Sequence, residues 1–382
     1  MRRLLAGLLL VGCGDAPPAP VTWTTADSAG VTIVTSLEPA WNEGEGWELA
    51  DTPSLSIGAV DEEGAALLFG VGGATRLDDG RIVVLNSGDG TLRFFDAEGR
   101  HELTAAGLGQ GPGELQRPAG LARRGDTLVV SEIFGQRISR FDLEGVHQGT
   151  MSLDNVRLNE AVDSQWGCPR RPEATTDGSY LFCAGSGRPA PIVPGVRRVS
   201  HWLVRATLDA SVVDTVGVVH GASRELLLGP QGSAVAMGGT PPEVYVGDPA
   251  SFTIDVWANG GGQMRSLRYP AGLQPVGARE RTFLSERSPG YTPPPNAVYA
   301  PNLPAFQLLV RDATGHLWAV QHEEFWPGAG VAQVFAPEGH LLGRVALPPR
   351  FRPWEIGDTY LLGVTRDELD VERVELYRLD RR

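Results

Sequence analysis

The stretch GLGQGPGELQRPAGL, Gly107 to Leu121, has the spacing most suggestive of chemistry, with glycines crowded around one carboxylate, Glu114. Such a loop can cradle a phosphate on backbone N–H groups, but only where it opens a helix whose N-terminus points at the anion. The residues that follow, PAGLARRGDTLVV, alternate like a strand. The glycines therefore read as conformational freedom for a sharply turning connection. Glu114 either accepts backbone N–H bonds within that connection or faces a ligand.

The remaining side chains narrow the chemistry further. His316 and His340 follow glycines in turns, and His101 and His147 occupy matching turns of two similar segments. His322, in QHEEFW, has carboxylate neighbours, but Glu323 and Glu324 fall beyond its strand. No HExxH, GxSxG or EF-hand pattern is present. All 33 basic residues are Arg, which excludes a Schiff-base Lys and the Lys of a P-loop. Against 46 acidic residues they leave a net charge of −13 with no basic block, so nucleic acid is not expected as a partner.

The chain begins with Arg2 and Arg3, a short apolar run from Leu4 to Val11, and LVGC ending at Cys13. The run is too brief to span a bilayer. LVGC resembles the lipobox of bacterial lipoproteins. That resemblance implies removal of residues 1–12, lipidation of Cys13, a tether over residues 13–21, and a place in the bacterial cell envelope. Gly14 is not the Asp that retains enteric lipoproteins at the inner membrane, which favours the outer membrane. In an exported chain the two other cysteines, Cys168 and Cys183, read most simply as one disulfide. With no His nearby, a metal site is the weaker alternative.

The elements that must position these residues are strands. The chain has 49 Gly and 29 Pro, too many for long helices. Segments starting at Ala74 and Leu121 align, with Gly80 matching Gly125 and Gly99 matching Gly145, a period near 45. Each holds four short strands separated by glycine turns, the pattern of a propeller blade. Weaker copies follow from Thr175, Pro241 and Leu308. A last copy from about Phe351 stops after its third strand. The prediction is an all-β, six-bladed β-propeller over residues 22–382 with four antiparallel strands per blade, closed by an N-terminal strand. Gly30–Ser36, apolar and β-branched, is the expected fourth strand of blade 6. Residues 277–304, with Arg279, Arg281, Arg287, Tyr291 and Tyr299, form an insertion that either covers the face or packs on a neighbouring blade.

DSAGVTIV, GQGPGELQRPAGL, RISRFDLEG, GHLWAV and YLLGVTRDELDVERVELYRL together resemble the six-bladed propeller lipoproteins of bacteria, relatives of the NHL-repeat propellers. That resemblance speaks to architecture and leaves function open. Candidate ligand contacts for a funnel on the loop face are Arg76, Asn86, Glu114, Arg123, Glu132 and Arg311. Arginines on inner strands (Arg76, Arg123, Arg171, Arg311) would make the channel cationic, or would pair with carboxylates of adjacent blades. The nine Trp are scattered, as interblade packing requires. The leading reading is a membrane-tethered, monomeric, non-catalytic propeller that binds a ligand or a protein partner. A metal-dependent lactonase, hydrolase or lyase with a site at the central channel is the alternative, and a component of an envelope assembly is the third. No motif implies a cofactor, and a channel calcium or other divalent ion stays open.

Overall fold

The structure is a computed structural model. It describes residues 21–382 apart from 59–63, 133–136, 153–179, 194–195, 207–211, 222, 224–225, 230–231, 259, 288–289, 291, 293–294 and 322–329. Cys13, Trp166, Cys168, Arg171, Tyr291 and His322 therefore lie outside the described residues, as does the side chain of Cys183, so lipidation and the disulfide rest on the sequence.

The repeat is realised as a six-bladed β-propeller. Blade 1 runs Val71–Arg76, Ile82–Asn86, Thr91–Phe95 and His101–Ala106 from axis to rim. Blade 2 follows as Pro118–Arg124, Thr127–Glu132, Arg137–Asp142 and His147–Ser152. Their registers superimpose, with Ile82 opposite Phe95 and Leu128 opposite Phe141. Even the turn histidines repeat: His101 and His147 hydrogen-bond Thr104 and Thr150 at 2.8 and 2.9 Å. In blade 3, Tyr180–Val193, Val196–Ala206 and Val212–His220 are described. Blades 4 and 5 are Ala234–Gly238 to Gln263–Arg268 and Leu308–Arg311 to Leu341–Ala346.

Apolar alternation along each strand feeds cores between blades. Leu85, Phe94 and Leu92 meet Leu121, Val130 and Phe141 between blades 1 and 2. Ile82 and Phe95 meet Trp354, Leu362 and Val374 between blades 1 and 6. Trp318 and Trp354 are buried in such seams as expected, whereas Trp202 is 45% exposed.

An N-terminal segment does close the ring, but by a different strand from the expected one. Val31–Ser36 pairs parallel with Gln263–Arg268 at the rim of blade 4, and Trp23–Ser28 adds outside it. The chain then crosses blade 5, where Ala40 and Trp41 donate N–H bonds to the carbonyls of Leu341 and Leu342. Only then do Trp47–Leu49 and Leu55–Ile57 pair with Glu372–Arg381 as the broken fourth strand of blade 6. The β-branched run at Val31 has the stronger strand propensity, but propensity does not say which edge a strand will cover. Val34 is decided by packing, 2% exposed in the seam with Ile254, Leu267 and Leu341.

The closure is fastened by charge. Arg381, at the end of blade 6, lies 4.1 Å over the Trp47 ring and 2.8 Å from the Asp312 carboxylate of blade 5. The Asp312 side chain is fully buried, and it also accepts from Trp318 Nε1 at 3.0 Å and from the His316 N–H at 2.8 Å. Arg381→Ala should therefore lower unfolding free energy by about 3–5 kcal/mol by stranding a buried carboxylate. Trp23→Ala, at the rim, should change it by no more than about 1 kcal/mol. Denaturant unfolding of the mature chain measures both, and equal stability of the two variants would refute the fastening.

Candidate functional site

Strand direction sorts the candidates between two ends of the channel. First strands end at Arg76, Arg124, Gly238, Arg311 and Ile356, which defines a turn end. Second strands end at Asn86, Glu132, Asp248 and Arg366 at the opposite, loop end, where the connections between blades also run. The six candidates are therefore not one funnel. Arg76, Arg123 and Arg311 gather at the turn end, whereas Asn86, Glu114 and Glu132 lie at the loop end.

At the loop end these three have local partners. Asn86 is buried, and its Oδ1 accepts the Phe69 N–H at 2.7 Å. The Glu114 carboxylate folds back to accept the Gly111 N–H at 2.7 Å. A Cβ at Gly109 would sit 2.0 Å from that carboxylate, so the glycine there permits the fold-back. The opening glycine stretch is thus a joint between blades. Glu132 is buried 3.6 Å from Arg137, which also donates to the Glu114 carbonyl. The insertion forms the helix Ala278–Arg287 and the strand Val298–Tyr299, which pairs with Leu226–Leu227. Arg281 lies over the Tyr299 ring at 4.6 Å. The insertion's described strand thus pairs with the connection leading into blade 4, where a cover over the face or packing on a neighbouring blade had been expected.

The turn end holds a cavity of about 260 Å³ on the axis, lined by described residues of blades 1, 2, 4, 5 and 6. An outer recess of about 540 Å³ adjoins it, and the two share Thr75, Arg123, Glu355 and Tyr360. Arg123 is held by both oxygens of Asp78 on the preceding blade, at 2.9 and 2.7 Å. This bidentate grip keeps the Asp78 carboxyl below its ordinary range. Glu355 accepts from Thr75 Oγ1 at 2.5 Å, from the Arg76 N–H at 3.3 Å and from the Tyr360 hydroxyl at 2.5 Å. Burial and the Glu355 charge push the Tyr360 phenol up, which keeps it a donor.

Arg311 repeats the position of Arg123 but not its partnership. The preceding turn offers Gly238 and Gly239 where blade 1 offers Asp78, and the Arg311 arm lies against those glycines. Its Nε is buried without a hydrogen-bond partner, as is that of Arg76. Arg311 does reach the Tyr245 phenol, which burial and Glu243 push up to about 12. Glu243 itself is gripped by Arg265 at 2.7 and 2.8 Å. Among the described residues no carboxylate pairs with Arg311 or Arg76. Arg76 lies 5.0 Å over the Tyr360 ring.

One pair escapes a reading of the sequence. Ser200 Oγ lies 2.8 Å from His220 Nδ1, directly across two strands of blade 3. Burial and Arg198 push the imidazole down, toward neutrality. Ser200 is completely buried, so the pair reads as a satisfied cross-strand contact. Among the described residues no three His, Cys, Asp or Glu side chains gather as metal ligands.

No family model and no curated protein matches the chain. Among solved structures, a member of the DUF4221 family from Bacteroides vulgatus superposes with a TM-score of 0.55. It has 10% sequence identity and covers 88% of this chain and 99% of its own. A candidate exported protein from Bacteroides fragilis scores 0.48 at 11% identity, covering 88% and 98%. Virginiamycin B lyase from Staphylococcus aureus scores 0.44 at 11% identity, covering 87% and 99%. At such identities the likeness is one of fold alone, and it rests on the first of the three.

Asp312 sets the pH behaviour of the turn end. Burial opposes its charge, but the bonds from His316 and Trp318 and the Arg381 charge win and hold its carboxyl far below the usual range. A depressed folded pKa stabilises above the unfolded value and loses that contribution as pH falls. Asp312→Asn should therefore be less stable than the native chain by about 3 kcal/mol near pH 7. The gap should narrow below about pH 4. Thermal unfolding across pH 3–7 measures it, and a gap independent of pH would contradict this placement of the charge.

Proposed function

We propose that this chain is a binding propeller that takes a small anionic ligand in the axial cavity at the turn end. The observation that carries the reading is Arg311, a guanidinium at a cavity on the axis that lies against Gly238 and Gly239 and pairs with no described carboxylate. A guanidinium that no carboxylate neutralises, beside a cavity, favours an anion there. The fixed fork of Arg suits a carboxylate or phosphate.

The tether anticipated at Cys13 fits this end. Trp23 stacks on His340, in the turn between the third and fourth strands of blade 5, with ring centroids 4.9 Å apart. The described chain thus starts beside the turn end, and a lipid on Cys13 would set the cavity toward the membrane. The metal-dependent hydrolase or lyase reading needs three or more ligands converging on the axis. The channel carboxylates Asp312 and Glu355 are instead engaged by protein donors.

Saturable thermal stabilisation of the mature chain by small anions, weakened by salt, is the expected behaviour, reaching about 2.7 kcal/mol at a hundredfold excess over Kd. Glu114→Gln and Glu132→Gln, at the loop end, should leave that stabilisation intact, whereas Arg311→Gln should remove it. Loss of anion binding in the loop-end variants, with retention in Arg311→Gln, would place the site at the other end and overturn the proposal.

A further inference from the structure

Resting on that reading, we infer that the ligand is a small hydroxylated carboxylate, its carboxylate on Arg311 and its hydroxyl groups on peptide groups around the axis. The wall of the cavity carries the first argument. Ala236, Met237, Leu309, Val310 and Ile356 line it, yet their side chains are packed into the cores between blades. Neighbouring residues of a strand point to opposite faces, so Leu309 feeds the seam with blade 4 and Val310 the seam with blade 6. What these residues turn to the axis is backbone. The inner strands Val71–Arg76, Pro118–Arg124, Ala234–Gly238, Leu308–Arg311 and Arg352–Ile356 each stand last in their sheets. Such an edge is a row of N–H and C=O groups without a strand partner. Hydroxyl groups, which both donate and accept, match a mixed row of that kind.

The polar side chains place the charge at one end of the ligand. Arg311 and Arg124 line the inner cavity, where Asp312 is already engaged by Arg381, Trp318 and Thr314. The neck toward the outer recess is formed by Thr75, Arg123, Glu355 and Tyr360. Arg123 is neutralised by Asp78, whereas Glu355 is held by two hydroxyls and the Arg76 N–H. Those three bonds leave part of the acceptor capacity of the carboxylate open. A second anionic group at the neck would meet that charge, and an apolar body would leave both it and the peptide edges without hydrogen bonds. A body bearing hydroxyl groups satisfies both.

Size narrows the class. A volume of about 260 Å³ lies just under the usual range of roughly 300–1,000 Å³ for small-molecule sites, so it takes a single ring or a short chain. The adjoining recess gives outward hydroxyl groups a way past Thr75 and Tyr360 toward Arg76.

Calorimetric titration of the mature chain with quinate, cyclohexanecarboxylate, myo-inositol and inorganic phosphate tests the inference. Quinate and cyclohexanecarboxylate share ring and charge and differ in hydroxyl groups, whereas myo-inositol has the hydroxyl groups alone. Quinate should bind at least tenfold tighter than each of the other three, and Arg311→Gln should weaken it at least tenfold. Glu355→Gln should weaken quinate while tightening phosphate, a split that general misfolding would not produce. Cyclohexanecarboxylate or phosphate binding as tightly as quinate would overturn the hydroxylated carboxylate and leave the anion site standing. Inositol matching quinate would overturn the anion site as well, as would binding of none of the four. Quinate binding unaffected by either variant would overturn the assignment to this cavity.

Discussion

The fold depends on one buried charge pair at the place where the two ends of the chain meet. Asp312 sits fully buried at the turn of blade 5, and Arg381 arrives from the last strand to neutralise it under the Trp47 ring. Neither charge tolerates that site alone. The pair joins blade 5, the end of blade 6 and the N-terminal strap in a single contact. It reinforces the pairing of Trp47–Leu49 and Leu55–Ile57 with Glu372–Arg381, which covers the sheet edge of blade 6. The axial cavity exists only while the inner strands are held in a ring, so closure and site share this dependence.

The same physics, repeated around the axis, explains the electrostatics of the turn end. Two inner strands deliver polar groups to the end of the preceding blade. Asp78 receives Arg123, and Glu355 receives the Thr75 hydroxyl and the Arg76 N–H. Between blades 4 and 5 the receiving turn is Gly238–Gly239, which gives the Arg311 arm room and no countercharge. The binding proposal grows from this one departure from the pattern.

Much of this was legible in the sequence. The Asp-Gly turns and the spacing of Gly80 and Gly125 gave blades 1 and 2 in register, and the missing last strand implied closure from the N-terminus. The closing strand itself was not legible: Trp47–Leu49 and Leu55–Ile57 are three residues each, broken at Pro53, and carry a weaker pattern than Val31–Ser36. The division of the candidates between two ends was available from strand parity, because Arg76 ends a first strand and Asn86 a second. The contact of Ser200 with His220 was hidden by register shifts in blade 3. The missing partner of Arg311 could not be read either, since it depends on which turn lies beside it in space.

The most direct measurement is the anomalous bromine signal from crystals of the mature chain grown with 3-bromobenzoate. The bromine peak is expected inside the turn-end cavity, with the carboxylate within hydrogen-bond distance of the Arg311 guanidinium. A peak at the loop end, beside Glu114 and Glu132, with the turn-end cavity empty, would contradict an anion site on the axis.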